Sequence, residues 1–247
     1  MEDRIENSPE VIHGSKFTPV FEILIVFSPV TILIILYKLL SIESPMTLIG
    51  LIWAGYIVMF FLIGILFKRN GENASEIGLI ASELSRANII RTVLKSIGVF
   101  VFALAAFVIG SIIMANIVGI PEPADFSNYN YLSGNLPMLI ISLAGVYIVS
   151  SFGEELIFRG FLISRLERFF GGDSRNSMLG ALLLSSLIFG FAHFEWGAMG
   201  IVQTTFMGAA LGISFILNGR GLWPLVLAHC YMDTILLVQL YFAPATQ

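Results

Sequence analysis

Five ionisable side chains lie within long apolar runs of the sequence, where a charged group is costly. They are Glu154, Glu155, His193, His229 and Asp233. On membrane-insertion scales an ionised aspartate costs about 2.5–3.5 kcal/mol at the centre of a spanning helix. Residues placed at that cost are candidates for chemistry rather than for packing.

The two adjacent glutamates are expected to have different roles. Neighbouring helical residues point about 100° apart, whereas residues four apart share a face. Glu155 can therefore pair with Arg159 in the favourable order, acid before base, and we predict that this pair is structural. The neighbours of Glu154 at three and four residues are uncharged: Ser150, Ser151, Ile157 and Phe158. We therefore expect Glu154 to do the chemistry and to find its partner on another helix.

The partner expected for Glu154 is His193. The polar turn at 171–176 lies midway between them in sequence, so an antiparallel hairpin brings them level. His229 and Asp233 are four residues apart, share a helical face, and can meet the first pair in one layer. Two straight spans would place His193 near the outer face, so we expect 194–197 to turn back within the membrane.

This group of side chains could hydrolyse a peptide bond. A carboxylate and an imidazole in a desolvated pocket can act as a general base on water. Two further polar groups can stabilise the oxyanion that forms when water attacks an amide carbonyl. A single intramembrane histidine often only hydrogen-bonds between helices, and a His-x-x-x-Asp pair can also serve as a proton relay. The joint pattern is therefore more informative than any one residue.

The elements that must position these residues are membrane helices. Of 247 residues, 57% are hydrophobic and only 12% are charged, and the mean hydropathy is +0.89. Soluble domains are about 25% charged, so an ordinary soluble protein is excluded. Runs long enough to span a membrane lie at 20–40, 47–67, 92–118, 137–158, 178–194, 199–217 and 223–243. The sequence predicts an all-α polytopic transmembrane helical bundle of about seven spans, with eight as the alternative, and an intramembrane polar site.

Basic residues predict the orientation and organisation of the chain. In a seven-span arrangement all of the 13 Lys and Arg residues except Lys38 fall on one side, and cytoplasmic loops collect such residues. We therefore predict a multi-pass protein of the cell membrane with a cytoplasmic tail at 1–19. N-terminal transmembrane helices are expected at 20–136, with an interfacial amphipathic segment at 72–90, and a catalytic core at 137–243. The net charge of −4 offers no basic surface for nucleic acid.

Three of the segments that carry these residues resemble the motifs of one known family. Residues 154–159 (EELIFR) resemble EExxxR, residues 189–193 (FGFAH) resemble FxxxH, and residues 229–233 (HCYMD) resemble HxxxN/D. These are motifs of the CAAX prenyl endopeptidase and bacteriocin-processing (CPBP, formerly "Abi") family of intramembrane proteases. They occur in the family's order, and the resemblance covers roughly the last 110 residues.

The resemblance implies a role for each matching residue. Glu154 and His193 would activate the hydrolytic water, and His229 and Asp233 would stabilise the oxyanion. Eukaryotic-type members have Asn at the last position, whereas an ionised Asp233 offers no donor. Either Asp233 is held protonated, or it orients a charged His229 that donates instead; we favour the second, because a neutral acid is costly. The implied partners are membrane lipid and a membrane-associated or lipidated peptide, including prenylated CAAX-type substrates.

No cofactor is expected. Zinc held by Glu154, His193 and His229 is the alternative, but HExxH is absent and the three ligands would come from separate helices. Two other functions are considered: a proton-coupled transporter and a non-catalytic immunity or partner-binding membrane protein. Transporter folds often contain internal repeats, and none is found here. The sequence does not identify the substrate or the oligomeric state.

Overall fold

The structure is a computed structural model that describes residues 17–42, 44–79, 85–119, 127–172 and 174–244. Within these residues the regular elements are all helical, which confirms the predicted fold class. Seven long helices form the bundle: α1 (Phe17–Leu39), α2 (Pro45–Asn70), α3 (Arg86–Val118), α4 (Leu136–Phe169), α5 (Arg175–Phe191), α6 (Gly197–Leu217) and α7 (Trp223–Phe242). Residues 1–16, most of the predicted cytoplasmic tail, lie outside the described residues.

The seven helices correspond to the seven predicted spans. All except α5 are long and apolar enough to cross a membrane, and α5 is a shorter apolar helix of 17 residues. Many large apolar side chains on the outer faces are exposed, as lipid contact requires. The chain is therefore an integral membrane protein.

Local sequence signals set the starts of four helices. The side chains of Ser44, Ser85, Asn135 and Ser174 each accept a hydrogen bond from a backbone N–H in the first turn of α2, α3, α4 and α5, respectively. Such caps satisfy backbone donors that have no partner inside the helix. The caps fall where apolar runs begin, so the boundaries follow from the sequence.

Helix α4 is the central element, and its period changes along its length. It is π-helical at Tyr147–Phe152 and again at Glu155–Leu162, and every residue of the second stretch is buried. π-Helical turns are rare and occur often at functional sites. Gly153 lies between them, where a Cβ would collide with the Phe60 ring, so α2 approaches α4 closely. The wider turns change which residues of α4 share a face.

The predicted turn after span five is present. Helix α5 ends at Phe191, a short 3₁₀ helix covers Phe194–Trp196, and Gly197 has a φ of 70°. At 1.5 Å per residue α5 is about 26 Å long, shorter than the ~30 Å of a bilayer core. His193 therefore lies in a turn rather than on a helix. Gly208 of α6 packs closely against the Phe189 ring of α5, where a Cβ would come within 2.9 Å of that ring.

The amphipathic segment predicted over 72–90 is not one continuous helix in its described residues, 72–79 and 85–90. A 3₁₀ turn covers Ala74–Ile77, Gly78 ends it with a φ of 81°, and α3 begins at Arg86; residues 80–84 lie outside the described part of the chain. The carbonyl of Gly78 accepts a hydrogen bond from Leu222 N at 3.0 Å. The loop around Gly78 therefore packs onto the connection between α6 and α7.

Ion pairs mark the two ends of the bundle. At one end, Arg165 and Arg168 of α4 pair with Glu22 of α1 and with Glu72, which follows α2. At the other end, Lys38 of α1 lies 3.4 Å from Glu195 in the turn after His193. The α4–α5 connection and the end of α2 therefore lie at the same end of the bundle. This is required if successive spans cross the membrane in opposite directions, as predicted.

Candidate active site

His229 of α7 is held by a buried ion pair on α4. Its Nδ1 lies 2.9 Å from Glu155 Oε1, and Arg159 Nη1 donates to the same oxygen at 2.8 Å. The predicted pairing of Glu155 with Arg159 is confirmed, and both side chains are fully buried. Arg159 also donates to the Gly208 carbonyl at 3.3 Å. Since a carboxylate paired with arginine acts as an acceptor, Nδ1 of His229 carries the proton of this bond.

Glu154 faces the other nitrogen of the same imidazole. Its Oε2 lies 3.8 Å from His229 Nε2, and its Oε1 accepts a hydrogen bond from the Tyr56 hydroxyl at 3.5 Å. Oε2 is buried and has no hydrogen-bond partner among the described residues. This oxygen is therefore an unused acceptor beside a histidine.

The predicted direct pairing of Glu154 with His193 is not observed. No hydrogen bond or ion pair joins these side chains in the described part of the chain, and the imidazole within 4 Å of Glu154 is that of His229. The prediction assumed two regular antiparallel helices. The π-helical turns of α4 alter its register, and α5 ends before His193, so counting residues from the turn does not give the partner.

Asp233 and two serines complete the surroundings of His229. Asp233 Oδ1 lies 3.9 Å from His229 Nε2, and its Oδ2 accepts a hydrogen bond from Ser151 Oγ at 2.7 Å. Ser150 Oγ lies 3.4 Å from His229 Nε2. From the sequence, both serines were expected only to be uncharged neighbours of Glu154. The sequence feature that could have indicated Ser150 and Ser151 is a pair of adjacent hydroxyls one turn before a buried acid. For Tyr56, which contacts Glu154, that feature is a hydroxyl in the middle of the second span.

His193 is held by its own backbone turn. Its Nδ1 lies 2.8 Å from the Phe189 carbonyl oxygen, and its ring contacts those of Phe189 and Trp196 at centroid distances of 4.8 and 5.1 Å. A carbonyl oxygen can only accept, so Nδ1 carries the hydrogen. In the neutral ring Nε2 then keeps its lone pair.

One cavity of about 960 Å³ joins most of these residues. Ser150, His193, His229 and Asp233 lie on its wall, so it contains three of the four predicted catalytic residues. Glu154 does not line the cavity, but its Oε2 lies 3.8 Å from Nε2 of His229, and His229 lines the cavity. The apolar wall comes from α3, α6, α7 and the turn after His193: Phe100, Leu104, Phe107, Met114, Val118, Trp196, Met199, Met207, Met232, Ile235 and Leu236. The wall of the cavity is therefore largely apolar, and it is polar where Ser150, His193, His229 and Asp233 line it.

The three ligands of the alternative zinc site, Glu154, His193 and His229, are not grouped around one point. Among the described residues, no three His, Cys, Asp or Glu side chains are grouped so that they could hold a metal ion. Nδ1 of His229 and Nδ1 of His193 are also both engaged, with Glu155 and the Phe189 carbonyl. A catalytic zinc needs three protein ligands around one point, which Glu154, His193 and His229 do not supply here. Independence from a cofactor stays a prediction.

Comparison with protein families gives one match to this part of the chain. Residues 136–235 match the family model described as type II CAAX prenyl endopeptidase Rce1-like. The chain carries an Rce1-like domain. The resemblance seen in the three motifs is thus confirmed over these residues. The comparison with curated proteins gives no match, and neither does the comparison with solved structures.

The Rce1-like domain does not contain every residue around the site. It extends from the start of α4 into α7 and includes all six predicted site residues. Tyr56, which contacts Glu154, comes from α2, and part of the apolar cavity wall comes from α3. The helices that precede the Rce1-like domain therefore contribute to the same site.

Proposed function

We propose that this protein is an intramembrane endopeptidase that hydrolyses a peptide bond in a membrane-associated substrate. The observation that carries the proposal is the polar wall of the cavity, formed in part by His193, His229 and Asp233. The unpartnered Glu154 oxygen lies 3.8 Å from one of these rings. The match to the CAAX endopeptidase family supports the same reaction.

Glu154 and His193 are proposed to activate the water. Glu154 Oε2 has no hydrogen-bond partner among the described residues, so it is free to accept a proton from water. Because Nδ1 of His193 is used on the Phe189 carbonyl, Nε2 of the neutral ring is a second acceptor. A water that bridges the two would lose a proton as its oxygen attacks the carbonyl carbon. That proton then passes to the leaving amine.

His229 is proposed to stabilise the oxyanion. Its Nδ1 donates to Glu155, and two carboxylates lie within 4 Å of its Nε2. In the doubly protonated ring, Nε2–H can donate to the oxygen that becomes negative. Asp233 accepts a hydrogen bond from Ser151, which supports an ionised aspartate that orients the ring.

The proposed substrate is a peptide with a lipid or other apolar group, and a prenylated CAAX-type peptide is the first choice. The cavity of about 960 Å³ lies at the upper end of the 300–1,000 Å³ of ligand sites, and its wall is largely apolar. The surrounding partner is membrane lipid. We propose that the N-terminus is cytoplasmic. Arg165, Arg168 and Arg220 lie at one end of the bundle, and Arg165 pairs there with Glu22 near the start of α1. Cytoplasmic ends of membrane proteins are enriched in basic residues.

The test uses the full chain, purified and reconstituted in lipid vesicles, with matched prenylated and unprenylated peptides. Glu154→Gln and His193→Ala are each expected to lower kcat/KM by about 10²–10⁴-fold, the range for a lost general base. Glu195→Gln is the control, because this glutamate is exposed and pairs only with Lys38 among the described residues. Cleavage that survives both Glu154→Gln and His193→Ala would refute the proposed base.

Two further measurements distinguish this proposal from a zinc mechanism, a transporter and a non-catalytic binding protein. A chelator such as EDTA or phenanthroline is expected to leave cleavage unchanged, whereas inhibition that zinc alone restores would require a metal mechanism. A transporter would move protons across the vesicle without cleaving peptide, and a non-catalytic partner-binding protein would bind peptide without product. Equal cleavage of prenylated and unprenylated peptides would remove the prenyl group from the proposal but not the hydrolysis.

A further inference from the structure

We infer that Ser150 is a second catalytic donor to the oxyanion, beside His229. This inference rests on the proposed function. Ser150 lies in the first π-helical stretch of α4, lines the cavity, and has its Oγ 3.4 Å from His229 Nε2. The oxygen that becomes negative must lie close to Nε2 of His229, so the hydroxyl is within reach of the same atom.

Three side chains place an oxygen close to His229 Nε2. Oxygens of Ser150, Glu154 and Asp233 lie 3.4, 3.8 and 3.9 Å from this nitrogen, respectively. An ionised carboxylate accepts but does not donate, and Asp233 already accepts from Ser151. Of the three, only the Ser150 hydroxyl can supply a proton to a developing negative charge.

The Ser150 hydroxyl is also not used on its own helix. Serines in helices commonly donate to the carbonyl three or four residues earlier, and Ser96, Ser111, Ser164 and Ser186 all do so here. Within the described residues, the hydrogen-bond contact of Ser150 is with His229 Nε2. Before substrate binds, a protonated Nε2 can donate to Ser150 Oγ, which leaves the hydroxyl hydrogen free to turn towards the cavity. When the substrate carbonyl is bound, Nε2–H donates to its oxygen instead.

The proposed step involves no covalent bond to Ser150. As water attacks, the carbonyl π electrons move to the oxygen, which accepts hydrogen bonds from Ser150 O–H and His229 Nε2–H. Both bonds strengthen as the charge develops, so they stabilise the transition state more than the bound substrate. When the amine leaves, the carbonyl re-forms and both donors keep their protons.

The first experiment compares Ser150→Ala with Ser150→Thr and with the control Ser164→Ala. Loss of one oxyanion donor lowers kcat by about 10²-fold or more, and we expect this fall in Ser150→Ala with KM changed less than about twofold. Threonine keeps the hydroxyl and should restore most of the activity. Ser164→Ala should keep the wild-type kcat, since this hydroxyl does not line the cavity: it donates to the Phe161 carbonyl and accepts from Arg165 Nη1.

The second experiment measures affinity for a transition-state analogue, a phosphinate isostere of the cleaved peptide. Ser150→Ala should weaken its binding by about the same factor as it lowers kcat. Asp233→Asn should reduce the effect of Ser150→Ala, because an amide at position 233 can donate in place of the hydroxyl. A double-mutant cycle detects this as non-additivity.

The outcomes separate this inference from the proposed function. If Glu154→Gln is inactive but Ser150→Ala keeps kcat within twofold of the wild type, Ser150 is not a donor and the hydrolase assignment stands. A fall in kcat that threonine does not restore, together with a lower melting temperature, would indicate packing and contradict the inference. Full cleavage by both Glu154→Gln and His193→Ala would remove the proposed function, and the Ser150 inference with it.

Discussion

Helix α4 carries two buried arginines six residues apart, and their surroundings differ in one respect. Arg165 pairs with Glu22 and Glu72, and Asn70 and Arg168 bind the remaining oxygens, so all four carboxylate oxygens have partners. Around Arg159 the carboxylates are not all satisfied. Oε2 of Glu154 and Oε2 of Glu155 are both buried without a hydrogen-bond partner among the described residues.

The difference fits a structural role for the Arg165 cluster and the catalytic role proposed for the site beside Arg159. A buried acceptor without a partner costs about 1–3 kcal/mol, so a cluster whose only role is to join helices should leave none. The Arg165 cluster joins α1, the end of α2 and α4 in this closed manner. The Arg159 cluster keeps open acceptors close to a cavity, which is what a site that must bind and deprotonate water requires. Unsatisfied oxygens, rather than buried charge, distinguish the two.

The largest effect on folding is expected at the closed cluster. Arg165→Leu would leave Glu22 and Glu72 buried with one partner each, and loss of a buried ionic partner typically costs 3–5 kcal/mol. We expect the free energy of unfolding to fall by about that amount in detergent denaturation. Glu154→Gln leaves the contacts of His229 with Glu155 and Asp233 in place, so it should change this free energy by less than about 1 kcal/mol. Equal destabilisation by the two variants would contradict the contrast between the clusters.

A smaller effect is expected for Tyr56, which positions Glu154. Tyr56→Phe removes the 3.5 Å hydrogen bond to Glu154 Oε1 and keeps the ring. A hydrogen bond of this kind contributes about 1 kcal/mol, so kcat should fall roughly fivefold and the pH dependence of kcat should shift, with little change in melting temperature. Tyr37→Phe is the matched control, because its hydroxyl donates to the Ser44 carbonyl at the end of α1, away from the site. An unchanged pH profile in Tyr56→Phe would show that the contact does not influence Glu154.

The smallest effect is expected at the exposed pair of the opposite end. Lys38 and Glu195 lie 3.4 Å apart and are both about half exposed, and such pairs contribute about 0–1 kcal/mol. Lys38→Ala should therefore change the free energy of unfolding by less than about 1 kcal/mol and leave cleavage unaltered. A loss above about 2 kcal/mol would mean that the turn after His193 depends on this pair, unlike an ordinary surface ion pair.

The fold was largely predictable from the sequence, and the site only in part. Seven apolar runs predicted seven helices, and the four-residue spacing of Glu155 and Arg159 predicted their ion pair. Within the described residues no hydrogen bond or ion pair joins Glu154 directly to His193, and the contacts of Tyr56, Ser150 and Ser151 were not anticipated. Their partners lie on other helices, far away in the sequence, where periodicity carries no information about distance.

The sequence by itself determined the membrane character, the apolar helices and the set of residues from which a site could be built. These follow from composition, run length and spacing along one helix, which are local properties. Only the tertiary structure decided that His229, with Asp233 on its own helical face, meets Glu154 and Glu155. It did so because the π-helical turns of α4 and the early end of α5 set the faces that meet, and both depend on packing between helices.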